Sequence, residues 1–463
     1  MAGGLNFSSQ EKCLAGQLAK FATSLNFASL PEPVVNKVKQ CTLDILGVFI
    51  AGSQMPWSQQ VAEYVRQVTG RPESLVIGHG FRADVCNAAF ANGTFGHSIE
   101  MDEQHNQSIT HPSPVLMAVS LAVGERECVS GCEFIVALVA GYEIMTRVGM
   151  AVAPSILVER GFHPTSVTGT LGAAVAGGCL LQLTDIQMQH AISIAAMHSS
   201  GLLEYLQSGG EYKRVHPGMA AYNGIRSALL AKLGMTGPSS ILEGPKGFLN
   251  AFSNKPEPRF VLDGLGEKFQ ILRVAFKPYA CCRLVHSSID AVTSLKRKYG
   301  FETEAIESIT IHTCTEISKL NNTQPRDILS SQFSIPFGVA LAVLEGSNLP
   351  KDYTSEALYR KDILGLAKKI HVVPDPAMDS RYPDIIGAKA TVKLKHRGEV
   401  TEYVKFPKGE PENPMSKKVL HDKFMSLTST MLSNKESEHI ETTVQCLEEL
   451  KDLREFTNLF STE

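Results

Sequence analysis

Residues 97–111 carry the densest chemistry in the chain: His97, His105 and His111 alternate with Glu100, Asp102 and Glu103 within fifteen positions, after a small-residue helix predicted over 87–96. Acids beside imidazoles are what proton transfer needs, because one group orients and tunes the other. The same residue types also bind metals, but histidine spacings of eight and six fit no zinc rule. The remaining alternative is a solvated loop. A second point is Gly161-Phe162-His163-Pro164-Thr165-Ser166, where His163 opens a helix whose free amides and positive dipole end attract anions; a structural histidine is the plain alternative. The third, 209–218, combines glycines with Lys213 and Arg214 ahead of a helix predicted over 219–233, as an anion cradle would, or as an ordinary basic loop would. The fourth, 276–286, crowds Lys277, Tyr279, Arg283 and His286 where two structural regions are expected to meet, in a cleft or on a solvated helix face. Together these points suit a small substrate carrying several carboxylates, with His or Lys passing a proton and no redox cofactor.

The chain has no G-x-G-x-x-G, no G-x-x-x-x-G-K-[ST], no G-x-S-x-G and no H-E-x-x-H, so nucleotide binding, serine hydrolysis and the usual zinc peptidase chemistry lack their signatures. Cys281-Cys282 is not a C-x-x-C redox pair and reads as two small packed residues. No functional metal is expected.

The elements that must position these residues are mostly helical. Val34, Val35, Val38, Cys41, Leu43, Ile45 and Leu46 form a broad stripe ending before Gly47, and further helices are predicted over 114–124, 131–145, 186–197 and 220–233. Almost nothing alternates with period two before residue 269. The uncharged stretch 164–184 is long enough to cross a membrane, yet its Gly, Ala, Thr and Ser content predicts a buried core helix. Beyond Phe269, residues 308–313 alternate as a strand. Residues 390–395 and 400–406 read as a hairpin around His396-Arg397-Gly398-Glu399, and 286–299 and 335–344 read as helices. The expected fold is mostly α: a helical domain over 1–269, an inserted smaller α+β lid over 270–407, and helices over 408–463 returning to the first domain.

Over 463 residues, 44 Lys+Arg against 47 Asp+Glu leave a net charge of −3, which argues against a nucleic-acid binder or a polybasic membrane-surface protein. Ten scattered Cys in so long a chain point to reduced thiols, in the cytosol or mitochondrial matrix. The N-terminal twenty residues lack a secretory pattern, and Glu11 with no Arg weakens a transit-peptide reading.

The four segments, in this order, resemble the MmgE/PrpD family over nearly the whole chain: 91–93 to His111-Pro112-Ser113, Gly161 to Gly172, Lys213 to Gly224, and Phe276-Lys277-Pro278-Tyr279. The resemblance implies a homodimer with its site in the cleft between helical domain and lid. It places the family's loop acids on Glu100 and Asp102, its loop histidine on His111, its F-H-P histidine on His163 and its lysines on Lys213 and Lys277. His105, Arg214, Tyr279 and Arg283 are the expected substrate-binding residues. The implied activity is a cofactor-free lyase on a small di- or tricarboxylate, led by decarboxylation of cis-aconitate to itaconate. The alternatives are a 2-methylcitrate dehydratase, a carboxylate epimerase or a non-catalytic binder. Glu100 in place of Asp, Gln104, and Thr315-Glu316-Ile317-Ser318 where a tyrosine is expected depart from the animal-type decarboxylases. Glu100-Met101-Asp102 and Tyr279-Ala280-Cys281-Cys282 look more like the fungal type.

Overall fold

Pro and Ser/Thr caps start most of the long helices and Gly sets how closely they cross. The computed structural model describes residues 13–461; residues 1–12, with Glu11 of the stretch read for targeting, and 462–463 lie outside the described residues. The protein is mostly α, with 59% helix and 9% strand. Helices of eleven or more residues are α1 (Leu14–Ser24), α2 (Glu32–Ser53), α3 (Pro56–Val68), α4 (Val85–Gly96), α5 (Pro112–Glu127), α6 (Gly131–Val152), α7 (Pro164–Leu180), α8 (Asp185–Ala196), α9 (His216–Lys232), α10 (His286–Tyr299), α11 (Ile335–Glu345), α12 (Lys417–Thr428) and α13 (Asn434–Gln445).

The helix α7, predicted as a core element, is buried along its length except at Cys179 and packs between α6 and α9. Its small residues permit the close approach: a Cβ at Gly224 of α9 would stand 2.2 Å from the Ala173 Cβ. Among the described residues one helix, α6, is long and apolar enough to cross a membrane, and 89% of its apolar window is buried inside the protein.

Three expectations need correction. The α2 stripe does not stop at Gly47; the helix continues to Ser53 because Gly47 gives room for Phe424 of α12 to pack against it. The region before residue 269 is not free of strands. A hairpin of β1 (Ser74–Val76) and β2 (Phe81–Ala83) turns through left-handed Gly78 and Gly80, and β3 (Gln104–His105) pairs antiparallel with β4 (Val274–Ala275). These strands are two or three residues long, too short for alternation to register. The helix placed after the basic loop begins at His216, not Met219, because Pro217 fits its first turn.

The sheet beyond residue 300 runs in the order β6-β5-β7-β8, with β5 (Ile306–Thr313) parallel to β6 (Ile370–Pro374) and antiparallel to β7 (Ala388–Leu394), itself antiparallel to β8 (Gly398–Val404). In the β7–β8 hairpin Leu394 faces Gly398, so the turn is Lys395-His396-Arg397 and Glu399 already belongs to the strand. Alternate residues of β7 are buried, and α10 covers that hairpin while α11 packs on α10. At the C-terminus α12 lies on α2, and the Lys423 ammonium donates to Asp44 (2.6 Å) and to the Met101 carbonyl (2.7 Å).

Candidate active site

The loop after α4 is held from three sides. Gly96 lets the end of α4 lie against Phe49 and Pro114, where a Cβ would meet the Phe49 ring at 2.5 Å. Lys423 fixes the Met101 carbonyl between Glu100 and Asp102. The β3–β4 ladder brings Val274 and Ala275 beside the loop and so delivers Lys277, two residues on, to its carboxylates. Glu100 itself has φ +56°, a left-handed backbone that a non-glycine residue keeps only when its surroundings fix it.

Two lysines and two acids meet at the loop, all buried. The Lys213 ammonium pairs directly with Glu100 Oε1. Lys277 Nζ stands 3.6 Å from Glu100 Oε2 and 3.7 Å from Asp102 Oδ1, beyond hydrogen-bond reach, and has no hydrogen-bond partner among the described residues. A buried ammonium in that state has its donors unspent and is held by the two carboxylates through charge alone. Burial pushes both carboxyls up, but Lys213 and Lys277 outweigh it at Glu100, and His97 with Lys277 at Asp102, so both stay ionised well below the usual range. Burial lowers Lys213 despite Glu100, whereas at Lys277 the pull of Asp102 and Glu100 wins and raises it.

Four imidazoles run away from this cluster. His97 donates from Nδ1 to Asp102 (2.7 Å). Its ring lies 5.1 Å from that of His111 and 5.6 Å from that of His163, and His163 lies 5.2 Å from His216. His111 donates from Nδ1 to the Glu103 carbonyl (2.8 Å), so its neutral form has a lone pair at Nε2. The Nδ1 atoms of His163 and His216 are 3.1 Å apart. Burial is the first cause of depression in all four. His111 falls to about 3 and His216 to about 4, His97 is lowered, and His163 falls well below the usual range with His216 and His97 adding to it. Beneath them Glu103 accepts from the Ser113 amide (2.7 Å) and Tyr142 (2.8 Å), and burial still pushes its carboxyl up to about 7.

A cavity of about 330 Å³ opens onto this cluster. Glu100, His111, His163 and Lys213 line one wall; Cys282, Arg283, Glu316, Lys319, Arg326 and Tyr382, from residues beyond 280, line another. Among the described residues no group of three or more His, Cys, Asp or Glu side chains is arranged to hold a metal ion.

Of the residues singled out in the sequence, Glu100, Asp102, His111, His163, Lys213 and Lys277 come together. The four read as substrate-binding do not. His105 lies in the β3–β4 ladder with Nδ1 on Ser108 (2.9 Å), and burial lowers it to about 3. Arg214 points the opposite way from Lys213, donating to the Ser98 carbonyl (2.9 Å) and Glu211 (2.8 Å) over the Trp57 ring. Tyr279 donates to Asp290 (2.5 Å). Arg283 reaches the cavity wall, but its guanidinium is spent on Glu410 (2.7 Å) and the Lys408 carbonyl (2.9 Å). For Arg214 and Arg283 a partner more than a hundred positions away holds the polar head, whereas His105 and Tyr279 are held by Ser108 and Asp290, three and eleven residues on. Cys281 is a packed, buried thiol, whereas Cys282 reaches the cavity.

His97, His216, Glu103, Lys423 and Tyr382 are the residues that reading by segment left without roles. One signal was present: His111-Pro112, His163-Pro164 and His216-Pro217 are three His-Pro steps, and each opens a helix (α5, α7 and α9). Proline fits the first turn and the histidine before it sits at the positive end.

Residues 16–261 match the MmgE/PrpD N-terminal domain and residues 279–449 the MmgE/PrpD C-terminal domain. The chain is 27% identical over 477 residues to a cis-aconitate decarboxylase of Aspergillus terreus, covering 98% of this chain and 97% of that protein. It is 28% identical over 464 residues to the cis-aconitate decarboxylase of Mus musculus, covering 97% and 93%. An alkylcitrate dehydratase of a fungal species is 26% identical over 277 residues, 55% of this chain and 53% of its own. With a domain match spanning more than half its length, the chain belongs to the MmgE/PrpD family.

Proposed function

We propose that this protein is a cofactor-free carboxy-lyase that converts cis-aconitate to itaconate and carbon dioxide. The observation that carries the reading is the convergence at one cavity of two helix starts opened by His111-Pro112 and His163-Pro164 with the buried Lys213, backed by Lys277 at 3.6 Å from Glu100 and by the His216-Pro217 helix start beside His163. Helix N-termini and ammonium groups favour carboxylates, and neutral imidazoles add no fixed charge. Lys213 and Lys277 hold substrate carboxylates, with Glu100 giving up the Lys213 ammonium as the ligand enters. When the C–CO₂ bond of the CH₂–CO₂⁻ arm breaks, its electron pair forms the new C=C bond, the old double bond shifts, and a proton must arrive at the carbon that bears the other terminal carboxylate. His163 is the donor in this reading: the neutral His111 ring has its proton committed to the Glu103 carbonyl, whereas His163 faces the cavity with Nδ1 on another imidazole. His111 then accepts from or orients the substrate, backed by Asp102 at 3.4 Å. The α+β region beyond 280 acts as the lid over this cavity.

The experiment is incubation of the purified protein with cis-aconitate, 2-methylcitrate and iminodisuccinate, followed by NMR. Itaconate formed only from cis-aconitate supports the reading. The dehydratase among the relatives makes water elimination from 2-methylcitrate the second reading. Thermal stabilisation by carboxylates without turnover of any substrate overturns catalysis and leaves a carboxylate binder.

A further inference from the structure

We propose that His163 and His216 act as one imidazole pair, which takes up a single proton as a polycarboxylate binds and delivers it from His163, with His216 reloading the pair from outside the cavity. The inference rests on the carboxylate-site reading above.

The geometry is specific. Nδ1 of His163 and Nδ1 of His216 face each other at 3.1 Å, so only one proton fits between them, and one ring donates while the other accepts. Among the described residues no carboxylate bridges them. Close packing of α7 and α9 sets the distance: Gly224 lies on Ala173, and a Cβ at Gly169 would stand 3.3 Å from the Ala220 Cβ. Gly201, at φ +128°, is bent over the pair where a side chain would collide with Ser166. Each imidazole stands at a helix start, so the unliganded pair sits in a positive field. The titratable and charged groups facing it are His97, Lys213, His111, Tyr205 and Tyr212. Lys213, the one cation among them, is matched by its ion pair with the Glu100 carboxylate, which leaves the positive ends of the two helices as the unbalanced field, and the empty pair is therefore uncharged.

A tricarboxylate reverses that balance. With the ligand's charge beside it, the pair holds one extra proton: His163 carries Nε2–H and Nδ1–H, and Nδ1–H donates to His216 Nδ1, spreading the charge over two rings. As the C–CO₂ bond breaks, the Nε2 proton moves to carbon and His163 returns to a neutral ring that still donates from Nδ1. The pair falls from +1 to 0, the substrate gains one hydrogen and loses carbon dioxide, and one solvent proton restores the start. His216 lies next to Tyr212, which is 63% exposed, so this end of the pair is the one nearer solvent. His216 acts through His163 and is a positioning residue.

The test uses the whole protein and propane-1,2,3-tricarboxylate, which cannot decarboxylate by this route. Calorimetry in buffers of different ionisation heat at pH 7 counts protons taken up on binding. The wild type is expected to take up about one proton more than His216→Phe, and His216→Gln, which bonds at Nδ1 without holding a proton, is expected to behave as His216→Phe while keeping wild-type melting. With cis-aconitate, both variants should lose at least ~10-fold in kcat with KM within a few-fold. Equal proton uptake by wild type and a folded His216→Gln overturns the pair. A wild type that takes up the proton but makes no itaconate removes the decarboxylase reading and leaves the pair standing. A wild type that does not bind the tricarboxylate overturns both.

Discussion

Lys213 and His163 face one cavity from two neighbouring helix starts, and their substitutions should separate binding from chemistry. Lys213→Ala removes a charge-assisted contact worth about 1.5–3 kcal/mol, so KM for cis-aconitate should rise ~10–150-fold with a smaller change in kcat. His163→Gln should lower kcat by ~10²–10⁴-fold with little change in KM. Melting curves belong beside both, since Lys213 is the direct partner of buried Glu100. Near wild-type kinetics in two folded variants would remove both residues from the site. Six of the ten expected residues come together in the fold, and each sits in a Gly- or Pro-punctuated segment of mixed charge. His105, Arg214, Tyr279 and Arg283 lie in the same segments, and what distinguishes them is a partner away from the Glu100–Lys213 cluster: Ser108 for His105, the Ser98 carbonyl for Arg214, Asp290 for Tyr279 and Glu410 for Arg283. Residue type shows what a group is able to do, and only the fold shows whether it is already occupied.

At the scale of elements, α4, α7 and α9 position the site by near backbone contact. A Cβ at Gly218 would stand 2.2 Å from the Phe90 carbonyl oxygen of α4 and 2.5 Å from Thr94 Oγ1. Gly218→Ala must therefore push the start of α9 away, taking Lys213 from Glu100. The expected cost is about 1–3 kcal/mol, with a fall in kcat/KM beyond the loss of folded protein. Gly178→Ala is the control: its Cβ meets the flexible Met188 side chain at 2.8 Å, near the end of α7 opposite His163, so it should alter melting without altering kinetics. Equal kinetic effects of the two would refute this account of α9. The long helices were legible because Gly, Pro and Ser interrupt a 3.6-residue pattern. The β3–β4 ladder was not, since two-residue strands have no period, and their pairing of Gln104 with Ala275 is a contact across 171 positions that no local pattern encodes.

For the whole molecule, the resemblance to the family implies a homodimer, and we propose one; sedimentation at micromolar concentration should show twice the chain mass, and a monomer alone would exclude it. The stronger consequence concerns pH. His105, His163, His216 and His286 are buried and His111 is half-buried, and all five are lowered, His105 and His111 to about 3 and His216 to about 4, chiefly by loss of solvent. Unfolded histidine protonates near 6.5, so below that pH the unfolded chain binds more protons than the folded one and stability falls as pH drops. At pH 5 His105, His111 and His216 each contribute a loss of about 2 kcal/mol, together about 6 kcal/mol, and His163 and His286 add to it in the same direction, a large share of the whole stability of a typical domain. Glu103 works in the opposite sense: raised to about 7, it gives back at most about 3 kcal/mol as pH falls toward 4.5. The depressed carboxyls Glu100 and Asp102 stay ionised through this window, and their contribution is lost only at lower pH. The histidines therefore decide the balance: the melting temperature should drop steeply between pH 6.5 and 5. Propane-1,2,3-tricarboxylate, which returns protons to the cluster, should stabilise the protein more at pH 6 than at pH 7.5. Scanning fluorimetry across that range checks both, and a flat melting temperature from pH 7 to 5 would mean that these imidazoles are charged in the folded protein and that the neutral cluster is wrong.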